Sequence, residues 1–293
     1  MVPLARCLAA VLLILPLRAA APGPDRSSGS EARLAALEAR IGGRLGVAAL
    51  DTGSGRRLAR RAGERFPMCS TFKILLAGAV LARVDRGETR LARRIPFGKA
   101  DLLPYAPVAQ ARVGEGGMTV GDLCAAAVEV SDNTAANLLL GTFGGPPAVT
   151  AFARSLGDPS TRLDRTEPTL NEGIPGDPRD TTTPEAMVIS LRSMLLGSAL
   201  KPGSRHRLED WMVACTTGRT RLRAGVPGTW IVGDKTGTGP RGSTNDVAIL
   251  RPPGRPPILV AAYLTQTDAS DEAIDAVLAD VGRIVAEAFR EGK

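Results

Sequence analysis

"GTWIVGDKTGTGPRGSTNDVAILRPPGRPPILVAAYLTQT", Gly228 to Thr267, decides the fold. It holds three strand-like runs, "GTWIVGDKT" (228–236), "STNDVAILRP" (243–252) and "PPILVAAYLTQT" (256–267), separated by Gly- and Pro-containing breaks. Two more lie near the other end, "RLGVAALDT" (44–52) and "RRLARRAGERF" (56–66), joined by the turn-forming "GSG". Neither group has enough strands to stand alone, so the two are expected to join in one antiparallel sheet of about five strands. Outside them lie helical patterns. "SEARLAALEARIGG" (30–43) spaces Leu34, Leu37 and Ile41 on one helical face, and an amphipathic run extends from about Asp271 to Phe289. Helices at both chain ends would cover the sheet, giving an α/β (α+β) protein.

Between the strand groups, from Thr71 to about Ser198, the pattern is helical, with pieces starting near Thr71, Thr119, Asn133, Pro146 and Pro184. Thr119 and Asp122 have capping-box spacing. The expected division is a signal at 1–21, a first α/β part at 22–68, an inserted helical domain at 69–212 and a second α/β part at 213–293, with the active site in the cleft between domains. Within the helical domain, "TRLDRTEPTLNEGIPGDPRDTTTP" (161–184) breaks the pattern with four prolines. A loop this long in a compact domain is usually functional or disordered. Opposite charges at Arg165 and Asp180, near its ends, would pin it closed.

With 293 residues, 44% of them hydrophobic, the chain is long enough to bury a large core. It opens with Arg6, an apolar run from Leu8 to Leu17 and small residues at Ala19 to Ala21, the layout of a cleaved export signal. That run is too short to span a bilayer. No later segment is apolar enough, so the mature chain is expected to be exported, periplasmic or secreted, with no membrane attachment. Cys7 leaves with the signal; Cys69, Cys124 and Cys215 remain, an odd number without C-x-x-C spacing, so neither a disulfide framework nor a zinc site is legible. The sole histidine, His206 in "SRHRLEDW", has no G-x-S-x-G elbow to serve and reads as a surface residue at a helix start. The net charge of +7 raises nucleic-acid binding, but aromatic content is 3% and the arginines are dispersed. "GRRLARRAGER" fits a solvated edge strand better. No feature demands an oligomer, and a monomer is expected.

Chemistry enters at "MCSTFKILLAGAVL", Met68 to Leu81. Lysine is scarce here, five of 37 basic residues, and Lys73 stands one helical turn beyond Ser70. A partly desolvated lysine can lose its proton where arginine cannot, and a helix start favours negative charge developing on the serine oxygen. Ser-x-x-Lys alone is weak: "SALK" (198–201), before "PG" at a helix end, matches too. Three further stretches add weight. "VEVSDNTAANLLL" places Ser131 and Asn133 in a polar break between helical runs, which alone reads as a helix stop and a new N-cap. "VGDKTGTGPRGSTND" places Lys235 and Thr236 at a strand end. Gly237 to Gly242 fits G-x-G-x-x-G, but strands flank it, Pro240 lies inside and no helix follows, so a dinucleotide site is excluded. A lysine, hydroxyls and glycines at a strand edge suit a carboxylate instead. "EPTLN" places Glu167 and Asn171, both able to hold a water, on the irregular loop.

The ordered set "STFK", "SDN", "EPTLN" and "KTG" resembles the class A serine β-lactamases over nearly all of the mature chain. The resemblance implies a hydrolase acting on the cyclic amide of penicillins and cephalosporins, conferring antibiotic resistance and using no cofactor or metal. Ser70 would be the nucleophile, its proton passing to Lys73 directly or to Glu167 through a water. Ser131 would relay a proton to the departing ring nitrogen, and Lys235 would hold that hydroxyl and the substrate carboxylate. The N–H groups of Ser70 and Thr238 would form the oxyanion hole. Glu167 and Asn171 would position the deacylating water. Asn133, Tyr105, Arg221 and Thr236 would complete the substrate site. Two disulfides found in some relatives are not expected, because Ala77 stands where a partner of Cys124 would be and Gly239 where a partner of Cys69 would be.

Two rivals share part of the set: a penicillin-binding DD-peptidase, and a β-lactam sensor domain that is acylated but barely turns over. The peptidase lacks the Glu167/Asn171 water site, and a sensor needs a transmembrane partner segment, which this sequence does not show.

Overall fold

A computed structural model describes residues 26–290. The export signal expected at 1–21 lies outside them. Five strands form one antiparallel sheet: β1 (Arg44–Asp51), β2 (Arg57–Arg60), β3 (Ile231–Gly239), β4 (Ser243–Arg251) and β5 (Ile258–Thr265), in the order β2-β1-β5-β4-β3. The strand groups from the two chain ends therefore do join. β5, the last strand made, occupies the centre, pairing along its length with β1 (Val47↔Ala262) and with β4 (Val247↔Ala261).

Both faces of this sheet are buried, which explains why β5 reads as a continuous apolar run and not as an alternation. Its even-numbered residues Ile258, Val260, Ala262 and Leu264 pack with Leu34 and Leu37 of α1 (Arg26–Ile41) and with Ile274, Leu278 and Val281 of the C-terminal helix (Asp271–Ala288). Its odd-numbered residues Leu259, Ala261 and Tyr263 face the helical layer. That layer comprises α2 (Phe72–Asp85), α3 (Val120–Glu129), α4 (Asn133–Thr142), α5 (Gly145–Ser155), α6 (Pro184–Leu195) and α7 (Pro202–Val213). A one-turn helix, α8 (Leu222–Gly225), packs on the C-terminal helix, here α9. α2 is apolar nearly all round because α3, α4, α5 and α7 enclose it.

Local signals set the helix starts. Thr119, Asp132, Thr183 and Ser270 each accept an N–H from three residues on, capping α3, α4, α6 and α9. Each such cap contributes about 1 kcal/mol.

Two sequence expectations change. The second strand stops at Arg60, because Arg61 takes a left-handed conformation (φ 44°) and the chain turns there; Phe66–Pro67 then pairs separately with Thr181–Thr182. What remains, β2, is the edge strand that its arginines suggested. "SALK" does not close a helix: Lys201 precedes α7, and Pro202 opens it. The long loop is pinned as its charges implied, Arg165 Nε donating to Asp180 Oδ2 at 2.6 Å, while Asp180 Oδ1 accepts the N–H groups of Asp164 and Arg165. Among the described residues no helix is long and apolar enough to cross a membrane.

Candidate active site

Ser70 lies in a short 3-10 turn, Cys69–Thr71, that leads into α2. Cys69 before it has φ 45°, and Ser131, in the break between α3 and α4, has φ 61°. Non-glycine residues seldom adopt this region, and such strain gathers at functional sites. The two strained turns face each other across a cavity of about 350 Å³. Ser70, Tyr105, Ser131, Asn133, Asn171, Arg221, Thr236 and Thr238 line it, together with Thr217 and Gly237. Lys73, Glu167 and Lys235 are buried beside it, so all eleven residues singled out from sequence converge. Ser198 and Lys201 of the second Ser-x-x-Lys do not; Lys201 caps the far end of α2 by donating to Asp85 O. His206 is exposed on α7.

A chain of polar contacts runs through the cavity floor. Ser70 Oγ donates to Glu167 Oε1 (3.2 Å) and accepts from Lys73 Nζ (3.0 Å). Lys73 Nζ also lies 3.1 Å from Glu167 Oε1, 2.8 Å from Ser131 O and 2.5 Å from Asn133 Oδ1. Ser131 Oγ sits between the two lysines, 3.3 Å from Lys73 Nζ and 3.0 Å from Lys235 Nζ. Burial pushes the Lys73 ammonium below its ordinary range, against the Glu167 carboxylate that holds it up. Lys235 has less opposition: burial, reinforced by the charge of Lys73, brings it down to about 7. Burial lifts the neighbouring Cys69 thiol to about 12, which leaves it inert.

The supporting contacts come partly from motif residues and partly from Asn137 and Thr217, which no motif announced. Asn137 brackets Glu167 by accepting its N–H (3.0 Å) and donating to its carbonyl (2.9 Å). It stands four residues after Asn133, one turn along the same face of α4, which is the only sequence signal it carried. Asn171 Nδ2 donates to Glu167 Oε2 at 2.6 Å, leaving its buried Oδ1 without a protein partner. Asp132 orients the opposite wall: Oδ1 caps α4, Oδ2 accepts the N–H groups of Val108 and Ala109, and the next N–H, of Asn133, reaches Tyr105 O. Thr217 Oγ1 lies 2.5 Å from Thr236 Oγ1. Arg221 is 9% exposed, its guanidinium shared among Asp275, the carbonyls of Gly237 and Asn245, and Thr238 Oγ1.

Cys69, Cys124 and Cys215 are all buried free thiols. A Cβ at Gly239 would stand 2.8 Å from Cys69 Sγ, so these two positions adjoin even though no bridge is possible between them. Among the described residues no three His, Cys, Asp or Glu side chains cluster as a metal site.

Known proteins resemble this chain along most of its length. The family model of the β-lactamase enzyme family matches residues 29–289. β-Lactamase CTX-M-25 of Escherichia coli is 46% identical over 283 residues, covering 97% of this chain and 95% of its own. β-Lactamase AST-1 of Nocardia asteroides is 50% identical over 263 residues, covering 90% and 84%. Among solved structures, an ancestral class A β-lactamase superposes with a TM-score of 0.87 at 63% identity, covering 89% of this chain and all of its own. A putative class A β-lactamase from Rhodopseudomonas palustris does so with a TM-score of 0.87 at 56% identity and the same coverage. By fold, by similarity along its length and by the residues its cleft assembles, the chain belongs to the class A serine β-lactamases.

Proposed function

We propose that the protein opens the lactam ring of penicillins and cephalosporins through an acyl-enzyme on Ser70, and that a water activated by Glu167 hydrolyses this adduct. The observation that carries the reading is the unbroken contact chain Glu167–Ser70–Lys73–Ser131–Lys235 inside one cavity. Ser70 Oγ presents its proton to Glu167 and receives one from Lys73, an arrangement that favours Glu167 as the acceptor during acylation. As the tetrahedral intermediate collapses, Ser131 passes a proton to the ring nitrogen and is resupplied from the lysines on either side of it. The N–H groups of Ser70 and Thr238 stabilise the oxyanion, a contribution of about 10²–10³ in rate per donor. The substrate carboxylate meets Lys235, Thr236, Thr238 and Arg221, while Asn133 and Tyr105 hold the acyl side. Asn171, with one arm on Glu167 and an unpartnered oxygen beside it, suits a water-positioning role.

The mature protein acts outside the cytoplasm, as a monomer, and confers β-lactam resistance; the layout of residues 1–21 supports export. The test is turnover of a chromogenic cephalosporin by purified protein, followed by intact-mass analysis of the same sample. Many turnovers per molecule with a transient adduct on Ser70 are expected. One stoichiometric adduct without turnover would replace this reading with that of a penicillin-binding peptidase or sensor.

A further inference from the structure

Asn245, near the end of the stretch "VGDKTGTGPRGSTND", belongs to none of the four short motifs, yet it is 1% exposed and packs behind the turn that precedes Ser70. On β4 it stands opposite Gly237 of β3. Its Nδ2 donates to two consecutive carbonyls, Pro67 O at 2.9 Å and Met68 O at 3.0 Å. Its Oδ1 is buried with no partner. A buried amide that leaves its acceptor unsatisfied is unfavourable unless its donors do something an apolar side chain cannot.

What they do follows from peptide geometry. The Met68 carbonyl belongs to the peptide plane whose nitrogen is that of Cys69, so holding that oxygen sets one of the two planes that define the φ of Cys69. Cys69 holds the strained φ of 45°, and the next amide along is the N–H of Ser70. Thr71 secures the same oxygen through its N–H (3.2 Å) and Oγ1 (2.8 Å), and Asp180 O accepts the Met68 N–H. Gly237 closes the other side: a Cβ there would come within 2.7 Å of Met68 O. The backbone oxygen of Asn245 accepts Arg221 Nη1 (3.0 Å), and the same nitrogen holds Gly237 O (3.2 Å). Asn245 thus joins the turn before Ser70 to the strand that carries Thr238.

We infer that Asn245 is a positioning residue for acyl transfer, aligning the Ser70 N–H with that of Thr238 by holding the Met68 peptide plane against β3. The inference rests on the Ser70 acyl-enzyme reading above. Its test is single-turnover acylation of Asn245→Leu, which keeps the shape without the donors, with Asn245→Ala in parallel. Rates are referred to titrated active sites, and the affinity of the pre-covalent complex is measured separately. The expected result is a loss of about tenfold or more in the acylation rate constant, with pre-covalent affinity changed less than about threefold, because a misaligned oxyanion donor acts on the transition state. An aryl boronate, which forms a tetrahedral adduct on the serine, is expected to weaken by a similar factor. Unchanged constants per active site, even with a lowered melting temperature, would overturn the inference and leave Asn245 structural. If neither variant accumulates, hydrogen exchange on wild type decides. The amides of Met68 and Thr71, bonded to Asp180 O and to Met68 O, are expected to exchange only through global unfolding, and fast local exchange would overturn the inference. A wild type that carries no adduct on Ser70 would instead sink the parent reading, and this one with it.

Discussion

Glu167 and Lys73 share one buried contact of 3.1 Å, and removing either charge changes the other group. Glu167→Ala takes away the carboxylate that opposes the burial-driven fall of Lys73, so the lysine becomes more readily neutral and able to accept the Ser70 proton. Acylation should slow yet persist, while deacylation, deprived of its base, should fall by about 10²–10⁴. Intact mass should then show an adduct that survives for minutes; rapid regeneration of free enzyme would refute the assignment of Glu167. Lys235, at about 7 when the site is empty, makes a pH prediction. As pH rises through that value the group loses its charge, so kcat/KM for carboxylate-bearing substrates should decline on the basic side. A bound carboxylate stabilises the ammonium, so the limb in kcat should lie higher. Lys235→Arg should abolish the limb; a limb unchanged in that variant would place its origin elsewhere. The stability effect has the opposite slope. Between about 7 and the ordinary lysine value the unfolded chain holds a proton that the folded one lacks, so this residue's unfavourable contribution is full below about 7 and fades as pH rises. At this scale the residues of the cleft were legible because each motif holds several of them within a few positions. Asn137, Thr217 and Asn245 were not, since their partners lie 19 to 178 positions away.

Elements were legible where one physical signal dominated. A serine, threonine or aspartate cap marks the starts of α3, α4, α6 and α9, and the continuous apolar β5 shows a strand covered on both faces. The end of β2 was hidden because nothing local distinguishes Arg61, whose left-handed φ ends the strand, from the arginines beside it. The contact of α8 with α9 was hidden for a similar reason, since it depends on missing atoms. A Cβ at Gly282 would lie 2.4 Å from Leu222 O, and one at Gly225 would lie 1.8 Å from Ala279 O, so the two backbones touch. Gly282→Ala therefore sets two effects against each other. Alanine inside a helix is favoured by about 1 kcal/mol over glycine, but displacing a backbone carbonyl costs about 1–3 kcal/mol or more. The clash should win, lowering the melting temperature by roughly 2–6 °C. Because Leu222 follows Arg221, kcat/KM should drop as well. A melting temperature that stays level or rises would show that the helices are free to part.

On the scale of the whole molecule, two observations bear on substrate capture. The full sequence carries a net charge of +7, or +5 once the expected signal takes Arg6 and Arg18 with it, and the cleft gathers Lys73, Lys235 and Arg221 beside the carboxylates of Glu167 and Asp275. A positive concavity raises the encounter rate with anions, and salt screens it, the Debye length shrinking from about 30 Å at 0.01 M to about 3 Å at 1 M. Across that range kcat/KM should fall several-fold, more steeply for a dianionic β-lactam than for a monoanionic one; equal slopes would mean that the field does not steer. The exposed ion pairs that link α1 to α9, Arg33–Glu287 and Arg40–Asp280, each contribute under about 1 kcal/mol, so the same salt should barely move the melting temperature.

The placement of β5 governs how this chain can be born. Residues 258–265 sit in the middle of the sheet, between β1, made about two hundred residues earlier, and β4, made just before, and without them β1 and β4 have no neighbour in common. A nascent chain that has not yet released this segment holds two separated half-sheets with bare hydrogen-bonding edges, and the 3-10 turn bearing Ser70 has no β3 secured against it. Closure of the sheet therefore waits until residues 258–265 have been made. Such a sheet closes late, because the strand that joins its two halves is made after all four of the others.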